Sequence, residues 1–125
     1  MSGSGDSDER NRRLSDRFEV TWAVDCETED TFLYASIRNI SAMGIFVRTV
    51  EPLAIGTQVT LRFAPPSTPE GFVLRGDVQW VNRDIANSPN PGMGIRFTGL
   101  TPEERERIVE AIRTIAYLRE DPVRN

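Results

Sequence analysis

Two arginines and a short polar segment are the residues of this chain with the clearest potential for binding chemistry. Arg13 and Arg17 lie four residues apart, and Asn39, Ser41 and Gly44 begin 22 residues after Arg17. Arginine is always charged and presents a rigid fork of donors that suits phosphates and the O6/N7 edge of guanine. Asn and Ser side chains can bond a base or phosphate edge, and glycine permits close approach of the backbone.

Each of these residues also has a plain structural interpretation. The basic and acidic side chains near the start alternate, which is typical of a solvated, charge-balanced tail. Asn and Ser commonly bond their own backbone in turns, and glycine is common there for steric reasons. The charged residues of this segment are Asp8, Glu9, Arg10, Arg12, Arg13, Asp16 and Arg17.

Composition excludes several classes of function. The chain has 125 residues, no histidine and one cysteine, Cys26, so zinc sites and Ser-His-Asp or Cys-His arrangements are not expected. All 15 basic residues are arginine, yet the net charge is −4, which argues against a general DNA- or RNA-binding protein. No apolar run has the ~20 residues of a membrane span, and residues 1–8 do not resemble a signal peptide. We therefore expect a cytoplasmic protein without cofactor or metal.

The spacing of the two motifs resembles that of a known family. Arg13 to Arg17 reads as RxxxR and Asn39 to Gly44 as (D/N)xSxxG, which together are similar to the signature of the PilZ domain. The resemblance covers about residues 12–117. It implies a receptor for cyclic di-GMP, a ring of two guanosines joined by two phosphates. It also implies ligand binding by Arg13, Arg17, Asn39, Ser41 and Gly44, with the N-terminal arm folding over the ligand.

The resemblance also implies secondary candidates. The family holds cyclic di-GMP singly or as a stacked pair, and a further cation beside RxxxR should favour the pair. Arg12 supplies that cation here, so we predict two ligands per protomer; the alternative is that Arg12 points into solvent or pairs with a neighbouring acid. Gly94 and Arg96 are weaker candidates because the family's last strand lies near the ligand, although Arg96 is equally explained as the exposed member of an alternating strand.

Hydrophobic periodicity predicts a mainly β domain. Alternation indicates six strands, with Gly76 permitting a bend or bulge in the fifth, and an antiparallel hairpin formed by the first two. Trp22 and Trp80 are expected on apolar strand faces, as core or barrel-face residues, and Cys26 as a small buried residue. With the resemblance, this predicts a small six-stranded antiparallel barrel with a C-terminal helix. The expected divisions are a disordered tail at 1–11, the domain at 12–118 and a short tail at 119–125.

The C-terminal helix has a clear start signal. Thr101, Pro102 and Glu104 match an N-cap, a first-turn proline and the acidic partner of a capping box. An apolar stripe follows at helical spacing, which we expect to pack on the strands rather than on a partner. Its residues are Ile108, Ala111, Ile112, Ile115 and Leu118.

These observations leave two functional hypotheses open. The first is a non-enzymatic cyclic di-GMP receptor and adaptor, which signals through ligand-dependent contacts with a protein partner in trans. The alternative is a PilZ-like interaction protein of a motility or signalling complex that does not depend on the nucleotide. A small hydrolase ranks third, since the chain offers neither a histidine base nor a metal site.

Overall fold

The computed structural model describes residues 16–66 and 68–120, which form six strands and one helix. The strands are β1 (Phe18–Glu27), β2 (Phe32–Ile40), β3 (Gly44–Arg48), β4 (Gln58–Phe63), β5 (Phe72–Asn82) and β6 (Gly92–Thr98), and the helix is α1 (Pro102–Glu120). The helix runs two residues past the expected domain end at 118. The expected tail at 1–11 and residues 121–125 lie outside the described residues.

The six strands form a closed antiparallel barrel in the order β1-β2-β3-β6-β5-β4. Consecutive strands form four antiparallel pairs, β1–β2, β2–β3, β4–β5 and β5–β6. In addition, β3 pairs with β6, and β1 pairs with β4 to close the cylinder. Among the described strands closure leaves no unpaired edge, so the sheet that they form offers its outer face to a partner or ligand. The predicted six-stranded barrel with a C-terminal helix is confirmed.

Alternating apolar residues from every strand fill the barrel. Gly76 also faces this interior: a Cβ there would lie 2.5 Å from the Cγ2 atom of Ile95, so its missing side chain leaves room for that isoleucine. Cys26 is fully buried among these residues, as expected. The innermost side chains are Val24, Ile37, Ile40, Ile45, Val47, Val59, Leu61, Val78, Met93 and Ile95.

Helix α1 packs on the barrel and completes this core. Its capping box forms as predicted: the Thr101 N–H donates to Glu104 Oε1 at 2.9 Å, and the Glu104 N–H donates to Thr101 Oγ1 at 3.1 Å. Ile108 and Ile112 are buried at 1% and 2% exposure, and Ala111 and Ile115 pack partly against the core, as expected for the apolar stripe. The expectation is wrong for Leu118, which lies at the end of the stripe and is 60% exposed. Arg107 adds a polar attachment by donating to the carbonyl of Gly71 at 2.7 Å.

The register shifts at three places in the described strands, between Glu19 and Trp22, Ile37 and Asn39, and Val78 and Trp80, and the last two decide which of the predicted residues face outward. The β2–β3 register shifts between Ile37 and Asn39, so Arg38 is an extra residue in β2. The side chains of Ile37 and Ile40 both point inward and have no exposed surface. Arg38 and Asn39 lie between them, and both side chains reach the outer face of the barrel. Bulges commonly re-aim side chains in this way beside functional sites.

The bulge between Val78 and Trp80 corrects the expected position of Trp80. The β5–β6 register shifts between Val78 and Trp80, so that Gln79 is the extra residue. Strict alternation from Phe72 would place Trp80 on the apolar face, and that prediction is wrong. The extra residue moves Trp80 to the outer face, where it is 49% exposed.

Candidate functional site

The strand registers place the predicted site residues in two neighbouring rows across the outer face of the barrel. One row, which we call the motif row, runs from Ser41 through Gly44 and Arg96 to Asp77. The other, the aromatic row, runs through Glu19, Asn39, Phe46, Gly94 and Trp80. Arg17, just before β1, lies where both rows begin.

Arg17 is held by the two polar side chains of the second motif. Its Nε donates to Asn39 Oδ1 at 2.7 Å, and its Nη1 donates to Ser41 Oγ at 3.2 Å. A guanidinium has five N–H donors, so three remain for a ligand after these two contacts. We call this arrangement the Arg17 clamp. It joins Arg17 of the first motif to Asn39 and Ser41 of the second.

The clamp fixes the Arg17 guanidinium without neutralising it. Asn39 and Ser41 are both neutral, and the ion pairs formed within residues 16–66 and 68–120 are Arg62 with Glu27 and Arg107 with Glu70. Partial burial lowers the pKa of Arg17 from its ordinary value. Arginine nevertheless stays protonated at physiological pH. The site therefore presents an oriented positive charge that an anion can complete.

Ser41 contributes to the site from beneath its surface. The residue has no exposed surface, and its hydroxyl accepts a second hydrogen bond from the Met43 N–H at 3.1 Å. Its own N–H donates to the Gly44 carbonyl at 2.9 Å, which closes the tight turn between β2 and β3. The side chain thus orients Arg17 and stabilises the turn.

Gly44 is required by the packing of two strands. A Cβ at this position would lie 2.1 Å from the carbonyl oxygen of Ile95 in β6, a distance that no side chain can adopt. Its φ angle is not positive, so close backbone approach rather than left-handed conformation explains the glycine. The absence of a side chain at Gly44 lets the backbone of β3 lie close to the backbone of β6.

The remaining predicted residues divide into two groups. Arg12 and Arg13 lie outside the described residues. Gly94 and Arg96 both lie on the outer face of β6: Gly94 is covered by the indole of Trp80, and Arg96 is exposed beside Gly44. Arg96 shares the motif row with Ser41, whereas Gly94 shares the aromatic row with Asn39.

A groove with a volume of about 1240 Å³ extends from the Arg17 clamp over the outer face. Small-molecule sites usually span about 300–1,000 Å³, so the groove can hold a large ligand. Its charged lining comprises three arginines, Arg17, Arg38 and Arg119, against one carboxylate, that of Glu19. Further lining residues include Val20, Trp22, Asn39, Phe46, Trp80, Asn82, Ala111, Ile115 and Leu118.

Among these lining residues, sequence reasoning predicted only Arg17 and Asn39 as binding residues and missed the others, including Arg38, Phe46 and Trp80. Arg38 and Trp80 face the groove because of bulges, which simple alternation does not reveal. Phe46 lies on the short strand β3, and its ring stacks on Trp80 with centroids 5.3 Å apart and an interplanar angle of 14°. The adjacency of Arg38 to the (D/N)xSxxG motif is the one signal that could have indicated its position.

Comparison with known proteins identifies the family to which this site belongs. The model of the PilZ domain matches residues 11–114, which is most of the chain. The chain belongs to the PilZ domain family. PilZ domains are generally receptors for cyclic di-GMP and generally non-catalytic. A search of curated protein sequences finds no significant match.

Solved PilZ structures share this fold at low sequence identity. The PilZ domain with c-di-GMP of YcgR from Escherichia coli is 16% identical with a TM-score of 0.62, covering 88% of this chain and 98% of that one. The PilZ domain of CeSA from a cellulose-synthesizing bacterium is 14% identical with a TM-score of 0.61, covering 82% and 99%. The Bacillus subtilis inhibitor of motility MotI/DgrA is 16% identical with a TM-score of 0.67, covering 81% of this chain but only 49% of its own.

None of the helical segments among residues 16–66 and 68–120 is long and apolar enough to cross a bilayer. Within those same residues, no group of three or more His, Cys, Asp or Glu side chains is arranged to hold a metal ion.

Proposed function

We propose that this protein is a receptor for cyclic di-GMP that acts as a non-enzymatic adaptor in the cytoplasm. The observation that carries the proposal is the Arg17 clamp, because it joins the two family motifs through two hydrogen bonds and leaves the charge of Arg17 unneutralised. Family membership and the fold shared with the ligand-bound YcgR domain support the choice of ligand.

The geometry suggests how each motif residue contributes. The three free donors of Arg17 bind a phosphate or fork onto guanine O6/N7, and Arg13 supplies the second guanidinium from the arm. Asn39 has donors of its own side-chain amide left for a base edge, since its Oδ1 accepts from Arg17. Ser41 and Gly44 act indirectly, by orienting Arg17 and by letting β3 approach β6 closely.

Calorimetric titration with cyclic di-GMP tests this proposal. We expect wild-type protein to bind and Arg17→Ala to lose most of the binding, because truncating one partner of a desolvated charge pair costs about 2–5 kcal/mol. Arg75→Ala is the matched control, since Arg75 is an exposed arginine on β5 that does not line the groove. Absence of binding heat from folded wild-type protein at high micromolar ligand would refute the receptor function.

The same titration measures stoichiometry. We propose that the site holds a stacked pair of ligands, because the pair carries four phosphate charges and the arm offers Arg12 in addition to Arg13 and Arg17. The expected ratio is two ligands per chain for the wild type and a value nearer one for Arg12→Leu. A ratio of one for saturated wild-type protein would exclude the pair.

A second candidate function is a nucleotide-independent interaction protein, and one observation favours it. Phe32 and Tyr34 on β2 are 53% and 76% exposed and lie in edge-to-face contact with centroids 5.1 Å apart. Both lie outside the groove, and exposed aromatic pairs are typical of protein-binding surfaces. If wild-type protein fails to bind cyclic di-GMP while remaining folded, this second function becomes the preferred one.

A further inference from the structure

The face of the barrel formed by β2, β1, β4 and β5 carries a row of side chains that is complementary to itself. The strand registers order this row, which we call the pairing row, as Tyr34, Asp25, Arg62 and Val73. We propose that the pairing row is the centre of a two-fold symmetric contact with a second copy of this chain. The contact is separate from the proposed ligand site, because none of these four residues lines the groove.

The first argument is that both ends of the row are apolar and open to solvent. Tyr34 is 76% exposed and Val73 is 56% exposed, and Phe32 beside Tyr34 is 53% exposed. The rings of Phe32 and Tyr34 are in edge-to-face contact, so they form one aromatic cluster rather than two isolated side chains. Aromatic side chains are enriched at the centres of protein interfaces, where a partner removes them from water.

The second argument is the charge pattern between these ends. Asp25 on β1 and Arg62 on β4 are direct neighbours at the middle of the row, one acidic and one basic. Arg62 also pairs with Glu27 at 3.3 Å, but both side chains of that ion pair are 46% exposed. A guanidinium has five N–H donors, so Arg62 retains donors for a carboxylate outside its own chain.

Two-fold symmetry joins the two halves of the row. An axis that runs parallel to the strands between β1 and β4 makes residues at equal distances on its two sides face each other across the contact. Asp25 then faces Arg62 of the second copy, and Tyr34 faces Val73 of the second copy. Each of these contacts occurs twice, so one short row supplies two ion pairs and two apolar contacts.

The neighbouring row follows the same rule. Its order across the four strands is Phe32, Glu27, Thr60 and Arg75. The same axis sets Phe32 opposite Arg75 of the second copy, a favourable pairing of an aromatic ring with a cation. Neither row brings like charges together. An unrelated protein partner would need no match between the two halves of this face, so the pattern favours a second copy as its occupant.

Sedimentation equilibrium of the full chain over a concentration series tests the contact. Interfaces smaller than about 1,200 Å² are usually weak. The four strands span only about 14 Å, so we expect a reversible monomer–dimer equilibrium with a dissociation constant on the order of 100 µM. Cyclic di-GMP should leave this constant unchanged, and so the dimer and the receptor function are tested separately. Wild-type protein that stays monomeric at about 1 mM would overturn the proposal.

Two tyrosine variants locate the contact on this face. By symmetry, Tyr34→Glu removes two apolar contacts and should weaken the dimer by at least about 10-fold. Tyr117→Glu is the matched control and should dimerise as the wild type does, because Tyr117 is a 66% exposed tyrosine on helix α1, outside both rows and the groove. Equal effects of the two substitutions would mean that the dimer forms through another surface, and the proposal would be wrong.

Charge reversal tests the symmetry itself. Asp25→Arg and Arg62→Asp each place like charges opposite each other in a homodimer, so each variant alone should be monomeric. An equimolar mixture should dimerise, because the new arginine of one copy faces the new aspartate of the other, and the native Arg62 of the first faces the native Asp25 of the second.

Thermal unfolding establishes that the charge-reversed variants are folded. A mixture of folded variants that stays monomeric would refute an axis between β1 and β4. If either variant fails to fold, the comparison of Tyr34→Glu with Tyr117→Glu decides the question alone.

Discussion

At the scale of single residues, the central feature is that Asn39 and Ser41 of the (D/N)xSxxG motif accept hydrogen bonds from Arg17 of the RxxxR motif. These bonds use two of the five donors of Arg17 and so orient its guanidinium. A flexible arginine loses side-chain entropy when it binds a ligand, whereas an arginine held by hydrogen bonds loses that entropy during folding instead. In the proposed receptor, the motif would therefore increase affinity partly by pre-organisation, to which the buried Ser41 would contribute.

This role for Ser41 leads to a prediction. Ser41→Ala removes the acceptor for Arg17 Nη1 and for the Met43 N–H, so we expect cyclic di-GMP affinity to fall several-fold and stability to fall by about 1 kcal/mol. Calorimetry and urea unfolding measure the two effects. Ser36→Ala, on the same strand and without a side-chain hydrogen bond among those found in residues 16–66 and 68–120, is the control. Unchanged affinity in Ser41→Ala would show that the serine serves the turn alone.

At the scale of secondary-structure elements, hydrophobic periodicity predicts the strands and the helix. It does not predict that Arg38 and Trp80 face outward. Strand β3 (Gly44–Arg48), the capping box at Thr101 and the helical stripe were all predictable, because local pattern and local hydrogen bonding determine them. The bulge at Gln79 depends on pairing with β6, which is distant in sequence, and so the outward position of Trp80 could not be read from β5 alone. The contacts of Arg17 depend on the pairing of β1 with β2, which places Phe18 opposite Ile40.

Helix α1 provides the prediction at this scale. Ile108 is 1% exposed within the core cluster, so Ile108→Ala should lower the free energy of unfolding by about 2–5 kcal/mol. Glu110→Ala, an exposed position on the same helix, should change it by less than about 0.5 kcal/mol. Urea unfolding monitored by circular dichroism compares the two. Equal, small effects would mean that the helix is not part of the barrel core.

At the scale of the whole molecule, the closed barrel is a rigid support for a site on its outer face. Its interior holds Cys26 with no exposed surface, and burial together with the neighbouring Asp25 charge raises the pKa of this thiol to about 12. In the unfolded chain a thiol titrates near 8.5. The unfolded state therefore releases a proton above about pH 8.5 that the folded state retains up to about pH 12.

The resulting prediction concerns alkaline stability. Because the unfolded state alone deprotonates in this window, the free energy of unfolding should fall as pH rises, by about 1.4 kcal/mol per unit for this one group. Urea unfolding at pH 8 and pH 10 measures the slope, and Cys26→Ala should show a smaller one. An identical slope in the variant would contradict the burial of the thiol, as would rapid labelling of folded protein by a thiol reagent at pH 8.

The measurement that tests the account most directly is a titration with cyclic di-GMP followed by two-dimensional ¹H–¹⁵N NMR. The side-chain Nε–H of Arg17 and the side-chain amide of Asn39 report the clamp, and the amides of Phe32 and Tyr34 report the distant surface of β2. We predict large, saturating shifts for Arg17 and Asn39 and negligible shifts for Phe32 and Tyr34. A spectrum that does not change, or shifts confined to residues outside the groove, would contradict the proposal that the Arg17 clamp binds this ligand.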